Sequence, residues 1–231
     1  MKVLGMIGGV GPESTIDYYR LIQTEYRKRK PDGSYPRIII NSVNLQEMID
    51  LLEANNLPAL THRIVAEIGK LARAEADFGV LSSNTPHLVF DDIQKQSPIP
   101  LISIVEATRK EAKSLGLKKV GLFGSGFTMR ARFYPDVFAR EGIAVVMPNP
   151  DEQNYIHRKY MDELVKGVFL PEVRAELIRI VEDLKQRESI DGLILGGTEL
   201  PLILRDTDER GIPFLDTAQI HVKAAVSEML S

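Results

Sequence analysis

Three landmarks occur twice in this chain, in the same order and at nearly the same spacing, and that repetition limits the fold more than any other feature. One apolar run ends in Gly8-Gly9-Val10-Gly11 and another ends in Gly124-Ser125-Gly126. The segment Gly79-Val80-Leu81-Ser82-Ser83-Asn84-Thr85-Pro86-His87 is matched by Gly192-Leu193-Ile194-Leu195-Gly196-Gly197-Thr198-Glu199-Leu200, and Ile99-Pro100-Leu101-Ile102 by Ile212-Pro213-Phe214-Leu215. Gly8 to Ser83 is 75 positions and Gly124 to Gly197 is 73; Ser83 to Ile99 is 16 and Gly197 to Ile212 is 15. Any two α/β segments look somewhat alike, and that is the alternative reading; three landmarks at matched spacing weigh against it.

Between the landmarks, short β-branched or leucine-rich runs alternate with longer amphipathic ones. The runs at 3–7, 37–43, 78–83, 100–104, 119–124, 144–148, 192–195 and 213–216 read as buried strands. The segments 12–29, 57–76, 105–115, 128–141, 151–166, 171–187 and 217–230 read as helices, with Pro12 and Pro171 suited to a first turn and Gly142 to a helix stop. Strand and helix in alternation mean parallel sheets with right-handed crossovers. The expected fold class is therefore α/β, as two similar parallel-sheet halves: 1–98 plus 211–231, and 99–210. The Ile-Pro strands near Ile99 and Ile212 are the points where each half is expected to cross into the other. Each half presents two loops at the carboxyl ends of its strands, where open parallel sheets bind ligands, and four such loops facing one another would build a single site.

A chain of 231 residues has room for one large domain or two small ones. A net charge of −3 gives no global bias toward nucleic acid or membrane surfaces, so a small anionic substrate must be captured locally. No apolar run approaches the roughly 18–20 residues of a membrane span, and the glycine-rich N-terminus does not read as a signal peptide; a cytoplasmic protein is expected. The chain has no cysteine, which excludes disulfides, thiolate metal sites and thiol catalysis.

The turn at Gly8-Gly9-Val10-Gly11-Pro12-Glu13-Ser14 lacks both the G-x-G-x-x-G order and the lysine and hydroxyl of a phosphate loop. Its glycines read either as geometry alone or as a means of bringing helix N-terminal amides close to a carboxylate. Ser83, Asn84 and Thr85, and likewise Thr198 and Glu199, put polar groups at expected helix starts, as do Ser125 and Thr128. Each hydroxyl taken singly is better explained as a cap than as a ligand contact, and it is their pairing across the repeat that favours the second reading. His62, His87, His157 and His221 have no metal-ligand spacing, and no metal is expected. His87 has two open readings, a proton-exchanging or donating group and a histidine bonded to nearby backbone. Lys166 reads as a favourable charge near a helix C-terminus.

Taken together, Ile7-Gly8-Gly9-Val10-Gly11-Pro12-Glu13-Ser14-Thr15 with Asp17-Tyr18-Tyr19, then Leu81-Ser82-Ser83-Asn84-Thr85-Pro86-His87, then Phe127-Thr128-Met129, then Leu195-Gly196-Gly197-Thr198-Glu199-Leu200, then Phe214-Leu215-Asp216-Thr217-Ala218-Gln219-Ile220-His221, resemble the aspartate/glutamate racemases along the whole chain. The resemblance implies two pseudo-symmetric α/β domains with the site between them, usually in a homodimer. It also implies proton abstraction and return at the α-carbon of an acidic amino acid by two cysteines, without pyridoxal phosphate or any other cofactor. Ser83 stands at the first cysteine position and Gly197 at the second. A subgroup of the family carries threonine at the first position and keeps the second cysteine; this chain keeps neither, and it lacks the arginine that aspartate racemases place near Ser42-Val43-Asn44-Leu45-Gln46-Glu47. Lys166 matches a position where related enzymes hold a lysine for the side-chain carboxylate.

Carried over in this way, the expected catalytic positions are Ser83 and Gly197, with His87 or Glu199 as substitute bases. The expected substrate-binding set is Gly9, Val10, Gly11, Asn84, Thr85, Ser125, Thr128, Lys166 and Thr198. A serine hydroxyl supplies very little alkoxide at neutral pH and glycine supplies no side chain. Three functions are therefore open: an atypical racemase-family enzyme for a small acidic amino acid or carboxylate, a one-sided lyase or decarboxylase, and a catalytically silent binding protein.

Overall fold

The computed structural model describes residues 1–204 and 211–231. The domain boundary expected between 210 and 211 abuts residues outside that set. In chain order the elements of the first sheet and its helices are β1 (Leu4–Gly8), α1 (Pro12–Arg29), β2 (Ile38–Ser42), α2 (Leu45–Glu53), α3 (Leu57–Arg73), β3 (Phe78–Leu81), a 3₁₀ turn (Thr85–Val89), α4 (Phe90–Gln96) and β4 (Leu101–Ile102). The second series is α5 (Ile104–Ser114), β5 (Lys119–Gly124), α6 (Gly126–Arg130), α7 (Phe133–Ala139), β6 (Ala144–Val146), α8 (Pro150–Asp162), a 3₁₀ turn (Leu164–Lys166), α9 (Pro171–Glu188), β7 (Gly192–Gly196), α10 (Leu200–Leu204), β8 (Phe214–Asp216) and α11 (Thr217–Met229).

Two four-stranded sheets result, ordered β2-β1-β3-β4 and β6-β5-β7-β8, with every pairing parallel. The two orders are the same when the second series is counted from β5. The inner strands β1, β3 and β7 are buried along their whole lengths, as parallel strands covered by helices on both faces must be, and β5 is buried beyond its first residue.

The repetition extends to an aspartate at the foot of each sheet. Asp77, just before β3, accepts the Val3 amide at 2.6 Å while its own amide donates to Val3 O. Asp191, just before β7, accepts the Lys118 and Lys119 amides at 2.7 and 3.0 Å, and its amide donates to Lys119 O. Each carboxylate thus pins the start of one central strand to the next. Asp191→Ala leaves two amides at the base of β5 without their acceptor, and is expected to cost about 1–3 kcal/mol. Urea unfolding of the variant, followed by circular dichroism, measures the loss directly.

The chain divides into two compact units, Met1–Ile104 with Ala218–Ser231, and Val105–Thr217. This differs from the division expected at 98/99 and 210/211. β4 pairs with β3 and β8 with β7, so both Ile-Pro strands stay in the sheet of their own half. It is the helices after them that change sides. The apolar face of α11 supplies Ala218, Val222, Ala225, Val226 and Met229 to the core built on Leu4, Met6, Tyr18, Ile22 and Tyr26. In the second unit, α5 is held by Arg109 to Glu141 and by Glu106 to Arg140. A strand's pattern shows that it is buried, but which sheet edge it joins is decided by backbone pairing, and that is why the cut fell elsewhere.

Two expected helices are also broken. The run 128–141 becomes α6 and α7, because Ala131 is extended with φ −83° and ψ 163°. The run 151–166 ends at Asp162, and Lys166 lies on the separate 3₁₀ turn closed by left-handed Gly167. α2, α4 and α10 are additional short helices.

Candidate active site

In the first unit the loops after β1 and β3, which are paired strands, are tied together. Ser14 Oγ, buried in the first turn of α1, donates to Ser82 O at 2.8 Å, and Ser82 Oγ donates to Ile7 O at 2.9 Å. The loop itself is closed by Gly9 N donating to Thr15 Oγ1 at 2.9 Å. Gly9 has φ +77°, and a Cβ there would lie 2.3 Å from Val43 O, so glycine is required on both counts. Gly11, at φ 115°, stands at the N-cap of α1 with no side-chain cap, and Pro12 follows at the first helical position. Gly9, Val10 and Gly11 thus form an amide-rich turn entering an 18-residue helix, a geometry that favours a carboxylate.

Beside it, Ser83 is 8% exposed and Asn84 2%, with Thr85 opening the 3₁₀ turn. Both ring nitrogens of His87 are engaged by backbone. Its Nε2 accepts the Ile104 amide at 3.1 Å, so the ring proton is on Nδ1 and donates to Ser83 O, also at 3.1 Å. Both nitrogens are used by backbone, the ring stacks on Phe90 at 4.7 Å, and burial lowers its pKa to about 3. His87 ties the Ser83 loop to Ile104, and its Nε2 lone pair is engaged by that amide. His221, in the last of the sequence motifs, does a similar job: Nε2 donates to Ile102 O at 2.9 Å and Nδ1 accepts from Tyr18 at 2.9 Å. Burial lowers its pKa to about 4.

In the second unit, Ser125 is the N-cap of α6, accepting the Thr128 amide at 3.2 Å, and the two hydroxyls lie 3.2 Å apart. Gly126 N donates to His157 Nδ1 at 3.0 Å. Lys166 is exposed on its 3₁₀ turn. Gly197, Thr198 and Glu199 form the turn after β7, and all three are buried. The carboxylate of Glu199 accepts from Thr198 Oγ1 at 3.1 Å and from the phenol of Tyr160. Burial and the neighbouring Glu199 carboxylate raise the Tyr160 phenol well above its ordinary range, so it is a neutral donor.

Tyr160 is the residue that sequence reasoning missed. A tyrosine inside an amphipathic helix reads as ordinary core, and only the volume left by a side-chain-free position 197 hints at what fills it. A Cβ on Gly197 would lie 2.4 Å from Tyr160 Cε2, 2.9 Å from Cζ and 3.1 Å from the hydroxyl oxygen. Among the described residues, no group of three or more histidine and carboxylate side chains is placed to hold a metal ion, and no helix is long and apolar enough to cross a membrane.

Residues 7–225 match the family model described as Asp/Glu/Hydantoin racemase. Over 99% of both chains, the protein is 25% identical to the broad specificity amino-acid racemase RacX of Bacillus subtilis. Among solved structures it is similar to a candidate Asp/Glu racemase from Yersinia pestis, at TM-score 0.89 and 31% identity, and to an aspartate racemase homologue from Pyrococcus horikoshii, at TM-score 0.84 and 34% identity, each match covering 100% of both chains.

Proposed function

The chain belongs to the Asp/Glu/Hydantoin racemase family, and from that membership we propose that it acts on a small acidic amino acid or related carboxylate, without cofactor or thiol, moving a proton on one face of the substrate only. The observation that carries this reading is the coupled pair of loops in the first unit. Ser14 joins them, amides at the start of α1 offer an anion site, and Ser83 stands next to it. In this reading the amides of Val10 and Gly11 take a carboxylate while Gly9, bonded to Thr15, sets the turn, Asn84 and Thr85 orient the substrate, and Ser83 occupies the side where the family resemblance puts the first acid–base group. A homodimer in the cytoplasm belongs to the same proposal, and sedimentation of the purified protein tests the dimer.

Proton NMR in D2O with the L and D forms of aspartate and glutamate tests the chemistry. Slow loss of the α-proton signal with configuration retained is expected, because a serine hydroxyl provides little alkoxide. Ser83→Ala is expected to slow it at least tenfold. Inversion of configuration in the wild type would overturn one-sided transfer. Ligand line broadening with no exchange would instead support a binding protein, a reading favoured by the engagement of both His87 nitrogens with backbone.

A further inference from the structure

We propose that the phenol of Tyr160 is a built-in occupant of the Gly197–Thr198–Glu199 turn, closing that turn to ligands so that recognition of the substrate carboxylate falls on the loops of the first unit. The inference rests on the function proposed above and sharpens it, by removing one of the expected binding loops.

Three independent observations converge on Tyr160. The first is steric: its ring occupies the volume that any side chain at 197 would need, with the nearest ring carbon 2.4 Å from a Cβ built there. Glycine at 197 and an aromatic ring at 160 are therefore one steric arrangement. The second is the direction of the polar groups. Thr198 Oγ1 and the phenol both donate to the Glu199 carboxylate, and the Thr198 hydroxyl and Glu199 amide also approach the phenol oxygen. Donors that would meet an incoming carboxylate are turned inward on a neutral hydroxyl and a resident carboxylate. An incoming carboxylate would meet the acceptor oxygens of Glu199 there, with the hydroxyls of Thr198 and Tyr160 already donating to them.

The third observation is fixity. Tyr160 is 8% exposed and packs in the core cluster containing Ile156, Leu164, Leu195 and Leu200. Withdrawing the ring would empty a space lined by those side chains and take from the fully buried Glu199 carboxylate one of the two hydroxyls that donate to it. The ring is thus a packed part of the second unit and not a lid that a ligand displaces.

A double-mutant cycle on the full chain tests the steric claim without any ligand. Gly197→Ala alone is expected to lower the melting temperature by roughly 5 °C or more. In a Tyr160→Leu background the same change is expected to cost little, and in a Tyr160→Phe background, where the ring remains, to cost as much as in the wild type. Equal losses in all three backgrounds would overturn the proposal.

Amide NMR titration of the wild type with L-aspartate, and separately with succinate, tests the consequence. Shifts at Gly9, Gly11, Asn84 and Thr85 with none at Thr198 and Glu199 are expected. Saturable shifts at Thr198 and Glu199 would overturn the closed turn. Coupling in the cycle with no amide shifted anywhere would leave Tyr160 as the occupant and count against the function proposed for the first unit.

Discussion

Acidification from pH 7 to about 4.5 is expected to cost the protein several kcal/mol of stability, before most of its carboxylates titrate. The source is the pair of buried neutral histidines in the first unit. His87 is held down to about 3 and His221 to about 4, whereas in the unfolded chain both titrate near 6.5. Above pH 6.5 neither state binds these protons and nothing is lost. Below it the unfolded state takes up protons that the folded state refuses, so stability falls progressively until the folded values are reached. Each histidine contributes roughly 1 kcal/mol per pH unit across that window.

The two are not equivalent. A proton added to His87 would go on Nε2, which already faces the Ile104 N–H, and two donors would then oppose each other. On His221 the added proton would face the Tyr18 hydroxyl, which can turn and accept it. Burial lowers both, and for His87 the neighbouring His221 adds to it. Urea midpoints by circular dichroism at pH 7, 6, 5.5, 5 and 4.5 should decline steadily, and His87→Gln should flatten the curve more than His221→Gln. A flat profile between pH 6.5 and 4.5 in the wild type would contradict the hydrogen-bond assignment.

Putting cysteine back at both family positions is expected to fail as a route to a racemase. In the Ser83→Cys, Gly197→Cys variant, the new Cβ and sulfur at 197 meet the Tyr160 ring. Overpacking of this kind costs about 1–3 kcal/mol, and the thiol gains no clear position. No inversion of aspartate or glutamate is expected from it. Adding Tyr160→Leu opens the volume and should remove the overpacking part of the loss, while adding the cost of the phenol's lost bond to Glu199. Racemisation by the double variant at wild-type stability would show that the ring yields readily, against the packing seen around it.

Much of the fold was legible in the sequence because strand burial and helix punctuation are local. Pro12 and Pro171 do begin α1 and α9, and the run 119–124 is β5 as read. The repeated landmarks correspond to two sheets of the same strand order. What escaped was what depends on partners far away in sequence. The strands at Leu101–Ile102 and Phe214–Asp216 read correctly as strands, yet their sheet was set by pairing with β3 and β7. The break at Ala131 is a single extended residue in a pattern that otherwise reads as continuous helix.

The site was legible in the same uneven way. The loops carrying Ser83, Gly197, Thr198 and Glu199 were singled out from their spacing, and each follows a buried strand, β3 or β7. Tyr160 lies 37 residues before Gly197 in the chain and is brought to it by the packing of α8 against the loop after β7. Likewise the residue type of His87 invited a catalytic role, while its actual bonds depend on Ile104, which lies beyond β4.

Because α11 completes the core of the first unit, the order of synthesis runs against the order of assembly. The second unit, Val105–Thr217, is one continuous stretch of chain. The first unit begins earlier and finishes later, since Leu4, Met6, Tyr18 and Tyr26 share a core with Val222, Val226 and Met229. On the ribosome, where domains ordinarily fold from the N-terminus onward, β1 and α1 therefore wait with an apolar face uncovered while the rest of the chain is made. That face is the surface a chaperone would meet first.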